Sequence, residues 1–250
     1  MKYCTKCGEK NKQFLDVCSK CGTILDAKTR KNQLRKSIAS LILYPAVSIF
    51  VGLIFMLAWM SSSGIDITQY STVETIGKMP FWAVYGPLLI LFIVLGIMYF
   101  KDIVKDAKKI TKKNVKVLCI MTLILLVSST LLSILIDQFG VVVDNQEAIE
   151  STFNSSLLAV SFMVIIVAPV VEEIVFRRAL NTVIRNTPIF IISSSLIFGL
   201  LHWSSVATII YIVMGVILSI AYIKMDKNLT AIIIMHLINN GLAVLMFLLI

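Results

Sequence analysis

The chain has 250 residues, of which 58% are hydrophobic and 15% charged, with a mean hydropathy of +0.91 and a net charge of +9. Soluble domains are about half apolar, whereas the apolar residues here come in blocks of about 18 or more with few charges, which reads as membrane spans. The composition therefore excludes a soluble globular protein and predicts an all-α polytopic membrane helix bundle with a small N-terminal module.

That module, residues 1–25, carries Cys4-Thr5-Lys6-Cys7 and Cys18-Ser19-Lys20-Cys21, each followed directly by glycine, Gly8 and Gly22. Two CxxC knuckles bring four thiolates into a tetrahedron that suits Zn²⁺. A segment of about 25 residues cannot bury enough surface to fold alone, so the metal supplies the stability. The expectation is a structural zinc ribbon ligated by Cys4, Cys7, Cys18 and Cys21. With all four positions filled by thiolates, no catalysis is expected there. No signal peptide is read before it, since the first apolar block begins near Ile38, so the head is expected in the reducing cytosol. The fifth cysteine, Cys119, lies in an apolar run and reads as a packing residue.

Residues 26–36 form a polar, basic linker. Residues 1–36 together hold ten Lys/Arg against Glu9, Asp16 and Asp26. Such a neck beside a span suits an anionic leaflet, by roughly 1 kcal/mol per nearby basic residue. Nucleic acid is set aside as a partner because the basic patch abuts a membrane, and a protein partner of the ribbon is left open.

Seven spans follow, predicted at 37–60, 81–100, 115–136, 154–176, 188–203, 205–224 and 229–250. The first three, 37–136, form an N-terminal set; residues 137–250 form a second unit. Segment 101–116 carries seven Lys and two Asp, whereas 137–153 carries four acids and no Lys or Arg. Arg177, Arg178 and Arg185 mark the next basic loop, and Lys224 with Lys227 the last. This alternation predicts a cytoplasmic N-terminus and an outside C-terminus. Trp59, Trp82 and Trp203 fall near span ends, as an interfacial aromatic belt requires.

Charges inside spans are costly, at least about 2.5 kcal/mol each at the bilayer centre. The fourth span nonetheless ends with Glu172-Glu173 and Arg177-Arg178 after Pro169, the fifth ends at His202, and the seventh contains His236 and Asn240. Glu173 with Arg177, Phe198 with His202, and His236 with Asn240 are each spaced i,i+4, on one helix face. Pairing of Glu173 with Arg177 leaves Glu172 about 100° away for other work. Pro169 removes a backbone hydrogen bond and can open the helix. A carboxylate, two imidazoles and an amide in a wet membrane cavity suit amide hydrolysis: the carboxylate deprotonates water, and the other groups orient it or bind the oxyanion. Taken one at a time, the same residues also fit an interfacial ion pair, an interfacial histidine and interhelical glue.

The motifs resemble those of the CPBP family (CAAX proteases and bacteriocin-processing enzymes, also called Abi), which read EExxxR, FxxxH and HxxxN on successive helices. Here they are Glu172-Glu173-Ile174-Val175-Phe176-Arg177, Phe198-Gly199-Leu200-Leu201-His202 and His236-Leu237-Ile238-Asn239-Asn240. The resemblance covers roughly 154–245 and implies an intramembrane endopeptidase acting on a membrane-associated peptide or protein. It implies Glu172 as the water-activating base, helped by His202, with His236 and Asn240 binding the oxyanion, and Glu173 and Arg177 as supporting residues. Whether a catalytic metal takes part stays open. The readings kept beside it are a non-catalytic membrane adaptor or immunity protein working through its ribbon, and an ion or proton relay. One requirement follows from the helix rise of about 1.5 Å per residue: Glu172 and His202 reach the same depth only if the fourth helix runs on past Arg178 or the fifth is tilted.

Overall fold

The computed structural model describes residues 2–4, 8–11, 27–65, 72–138, 157–202 and 208–249. Within them the chain is a bundle of apolar helices with one two-stranded ribbon at its N-terminus. β1 (Lys2–Tyr3) pairs antiparallel with β2 (Lys10–Asn11). α1 (Ala27–Ala46) passes through a widened π turn at Val47–Val51 into α2 (Gly52–Ser63). The expected linker is helical from Ala27 onward, because Ala, Lys, Arg, Gln and Leu are good helix formers with no Gly or Pro among them. After α3 (Thr72–Lys78) come α4 (Phe81–Ala107) and α5 (Lys112–Asp137). Then follow α6 (Leu157–Val183), α7 (Thr187–Leu201), α8 (Thr208–Lys224) and α9 (Leu229–Leu249).

Five of these helical stretches are long and apolar enough to cross a membrane: Arg30–Ser63, α4, α5, α6 and Leu229–Met246; α7 and α8 are shorter apolar helices. Together they correspond to the seven predicted spans. The fourth is longer than predicted, running to Val183 rather than residue 176. The seven-lysine segment 101–116 is mostly helical, leaving only Lys108–Thr111 as a turn, closed by a Thr111–Asn114 capping box. Trp203 and the acidic segment 139–153 lie outside the described residues.

The bundle is inverted relative to a soluble protein. Ile97, Leu123 and Leu158 point outward and are more than half exposed, while Glu173, Arg177, Ser194, Ser219 and His236 are buried. Such an outer surface is suited to hydrocarbon, and the polar groups find one another inside. α6 is the central element: half of its apolar window is buried inside the bundle, against none for Arg30–Ser63. α7 and α8 pack face to face at two glycines. A Cβ on Gly215 would stand 2.8 Å from Ser195 Cα, and one on Gly199 would stand 2.9 Å from the Ile212 backbone nitrogen. Small residues of this kind let membrane helices approach backbone to backbone.

Turn chemistry fixes the helix ends. Asn186 caps α7 through Ile189 N–H, and Asn228 caps α9 through Ala231 N–H. Asn228 also donates to the Asp106 carbonyl, and Asn114 donates to that of Met225. The ends of α4, α5, α8 and α9 are thereby tied into one polar junction.

Candidate active site

Pro169 shapes α6. Ahead of it the helix widens into a π turn at Met163–Val167, and Ala168 N–H bonds Met163 O instead of Val164 O. Proline has no N–H to offer in its place, so the Val164 carbonyl has no backbone donor. The side chain of Asn240 in α9 supplies one, with Nδ2 donating to Val164 O at 2.9 Å. A second π turn, Glu173–Ala179, follows a single α-turn at Ala168–Glu172. π turns within α-helices are uncommon and often accompany functional sites.

The α-turn delivers Glu172 between two imidazoles. His202 Nε2 lies 3.6 Å from Glu172 Oε1, and His236 Nε2 lies 3.7 Å from Oε2. These are ion-pair distances rather than hydrogen bonds. His202 stands at the C-terminus of α7, where its Nδ1 is 2.7 Å from the Phe198 carbonyl. A carbonyl only accepts, so Nδ1 donates to it, and the other ring nitrogen, Nε2, faces Glu172. His236 is anchored in the same way, with Nδ1 2.8 Å from Glu173 Oε1. Glu173 is itself paired with Arg177, Nε to Oε2 at 3.3 Å, both side chains fully buried. The ion pair makes Glu173 the acceptor, so His236 Nδ1 donates. One imidazole thus bridges adjacent carboxylates, and the Nε2 edges of both histidines converge on Glu172. The Glu172 carboxylate between these two edges suits a water molecule or another donor.

Phe198 ties these groups together. Its ring meets His202 at 4.5 Å, Phe176 at 5.6 Å and His236 at 6.2 Å between centroids, and the Arg177 guanidinium lies 4.8 Å over it. Arg177 Nη1 and Nη2 have no hydrogen-bond partner among the described residues. The buried cation is balanced by Glu173 and by the Phe198 π face. The Tyr211 ring of α8 stacks on His202 at 4.5 Å and 17°. Tyr44 of α1 meets Phe176 edge-on at 5.4 Å.

Glu172, Glu173, Arg177, His202 and His236 are therefore brought together. Asn240 instead donates to Val164 O and accepts from its neighbour, with Asn239 Nδ2 donating to Asn240 Oδ1 at 3.2 Å. Tyr211 escaped the sequence reading because nothing in it pairs α7 with α8; Phe198 was named only as the motif residue four before His202. Of the four predicted zinc ligands, Cys7, Cys18 and Cys21 lie outside the described residues. Cys4 is buried at the end of β1. Its backbone is closed by Gly8 N–H to Cys4 O and Cys4 N–H to Glu9 O, both 2.9 Å, with Gly8 at φ +71°. The positive φ of Gly8 is one that glycine adopts without strain. Among the described residues no group of three or more His, Cys, Asp or Glu is disposed to hold a metal ion.

Comparison with known proteins places this geometry in context. Residues 154–242 match the profile of the type II CAAX prenyl endopeptidase Rce1-like family. That range includes both histidine helices and the Glu172–Arg177 segment. The UPF0177 protein YajF of Lactococcus lactis is 32% identical over 143 residues, 54% of this chain and 69% of that protein. An uncharacterized protein of Mycoplasma capricolum is 31% identical over 175 residues, 63% of this chain and 52% of that one. The membrane-embedded CAAX protease MroQ of Staphylococcus aureus is 40% identical over 93 residues, 34% of this chain and 37% of MroQ. The chain thus spans about half of the Mycoplasma protein and about a third of MroQ. No solved structure gives a significant match.

Proposed function

We propose that this chain, which belongs to the CPBP family, is an intramembrane endopeptidase that hydrolyses a peptide bond of a membrane-associated peptide or protein. The observation that carries the reading is Glu172 held between His202 Nε2 and His236 Nε2 inside a bundle with an apolar exterior. In this mechanism a water molecule donates to Glu172, which takes its proton as the hydroxide adds to the scissile carbonyl. His202, oriented by the Phe198 carbonyl and the Tyr211 ring, steadies that water and accepts part of the developing charge. The oxyanion is bound at Asn240, whose Nδ2 has a second N–H beyond the one given to Val164 O, and at His236 when its Nε2 carries a proton. Glu172 then returns the proton to the leaving amine, so one water is consumed and a carboxylic acid and an amine are formed. Glu173 and Arg177 hold His236 and do not touch the reacting atoms.

The proposed topology has a cytoplasmic N-terminus and an outside C-terminus, because Lys/Arg collect at one end of the bundle. Protease accessibility of terminal tags in inverted vesicles checks it, and a protected N-terminal tag overturns it. The ribbon is proposed to hold one structural Zn²⁺ on Cys4, Cys7, Cys18 and Cys21, contributing folding energy rather than chemistry.

The test of the protease reading is Glu172→Gln, which keeps shape and removes the base. General-base catalysis contributes on the order of 10²–10⁴-fold, so peptide products from membranes, resolved by mass, should fall by at least that lower figure at unchanged expression. Unchanged products would sink the assignment. Loss of products on adding a strong chelator to a chain whose only change is replacement of the ribbon cysteines would instead point to a metal-bound water.

A further inference from the structure

A cavity of about 660 Å³ opens at one end of the bundle, where the N-terminus of α1, the α4–α5 turn, the C-terminus of α6 and the α8–α9 turn meet. Glu172, His202 and His236 do not line it. Six Lys/Arg side chains and three aspartates do. The aspartates are already committed. Asp102 pairs with Lys36 and Asp226 with Lys113. Asp106 pairs with Arg178 and also accepts Leu229 N–H. Lys36 and Lys113 stand outside the lining, so among the described residues cations outnumber anions around the cavity.

The like charges crowd one another. Burial, together with the positive charges of Lys105 and Arg178, holds the Lys109 ammonium below its ordinary pKa, against the opposing pull of Asp106. Burial, then Arg178 and Arg185, do the same to Lys227. Lys227 is kept there by a turn in which Asp226 and Lys227 both have positive φ, 57° and 59°, a conformation that non-glycine residues rarely adopt. The cavity floor is polar and unfinished. Asn181 is only 6% exposed, yet among the described residues its Nδ2 has no hydrogen-bond partner, and neither does Arg178 Nε. Buried N–H donors are almost always satisfied. Two orphan donors beneath a ring of cations await an acceptor with negative charge.

We infer that this cavity binds a phosphate-bearing anion, delivered either as a phospholipid headgroup or as a soluble phosphoester. Phosphate offers several acceptor oxygens to the Arg178 and Asn181 donors, and its charge relieves the repulsion among Lys105, Lys109, Arg185 and Lys227. Arg178 lies six residues beyond Glu172 on the same helix, about 9 Å along the axis. The inference does not depend on the protease reading, and its test reads binding alone.

The test uses the purified full-length chain in nanodiscs of phosphatidylcholine, titrated with phosphatidylglycerol and, separately, with inorganic phosphate, with retention followed by native mass spectrometry. K109Q/K227Q removes two exposed cations from the rim; K108Q/K116Q removes two exposed lysines outside it. Each juxtamembrane cation contributes roughly a fivefold gain in binding, so K109Q/K227Q should weaken binding on the order of tenfold or more, while K108Q/K116Q changes it little. Asn181→Ala should also weaken it with net charge unchanged; thermal melts of all variants verify folding. Phosphatidylglycerol retained without competition by phosphate identifies a headgroup site, and competition by phosphate identifies a soluble ligand. The inference is overturned if wild type prefers neither anion, or if K108Q/K116Q loses as much binding as K109Q/K227Q.

Discussion

The role given to Asn240 makes a sharp prediction. In Asn240→Leu the Val164 carbonyl loses its sole identified donor, because Ala168 N–H is bonded to Met163 O and Pro169 has none. A buried acceptor left unsatisfied costs about 1–3 kcal/mol, while interhelical hydrogen bonds in membranes average nearer 0.6 kcal/mol with a maximum near 1.7. The expected loss is therefore about 1–2 kcal/mol, a lowering of melting temperature by roughly 2–8 °C for a chain of this size. Pro169→Ala supplies a backbone N–H that can reach Val164 O in the widened turn or re-form an ordinary helical bond to Ile165. In that background Asn240→Leu should cost about 1 kcal/mol less. The assay is a thermal melt of the four proteins of the double-mutant cycle in one detergent, which isolates the coupling. Equal costs of Asn240→Leu in both backgrounds would refute the account of the orphaned carbonyl.

Three further outcomes follow. Glu173→Gln leaves the buried Arg177 without its counter-charge and should destabilise the bundle by about 3–5 kcal/mol, whereas the E173Q/R177M pair should recover much of that stability but not peptide cleavage. Stability is read by thermal melting and cleavage by peptide mass, and a cleaving double variant would remove Glu173 from the support of His236. Gly215→Ala pushes a methyl against the Ser195 backbone at 2.8 Å and should cost about 1–3 kcal/mol by parting α7 from α8, while Gly96→Ala, with nothing within 4 Å, should be neutral or slightly stabilising; equal effects would mean that α7 and α8 slide apart freely. Elemental analysis should find one zinc per chain, lost in Cys4→Ser without loss of membrane insertion, and a metal-free wild type would dismiss the ribbon.

Much of the bundle was legible because membrane burial is written in composition. The apolar blocks required only the costs of charge in hydrocarbon, and the observed helices follow the predicted spans closely. The polar residues of the centre were legible for the same reason in reverse: Glu172, Glu173, Arg177, His202 and His236 stand out in spans that otherwise avoid charge. Which of them meet was not legible, because helix pairing is not written in local pattern. The i,i+4 rule gave Glu173–Arg177 but could not show that His236 reaches the same carboxylate from α9. Tyr211 looked like any interfacial tyrosine until α8 was packed on α7. Pro169 predicted an opened helix, and the structure distributes that opening into two π turns flanking Glu172.

The depth requirement shows how these levels connect. Counted from a span ending at 176, Glu172 lies too close to the membrane surface to meet His202 at the far end of α7. The contact at 3.6 Å exists because α6 continues to Val183. The continuation is permitted by Ala179–Val183, which holds no Gly or Pro, but it carries Arg177 inward. An arginine there is tolerable only with a carboxylate one turn before it, which is where Glu173 stands. Glu173 is thereby consumed by Arg177 and by His236 Nδ1, and the adjacent Glu172, about 100° around the helix, is the carboxylate left without a strong cationic partner at hydrogen-bond distance. Two neighbouring glutamates thus have different work for one physical reason: lengthening the helix to bring the base to the histidines requires a second carboxylate to neutralise the arginine buried by that lengthening.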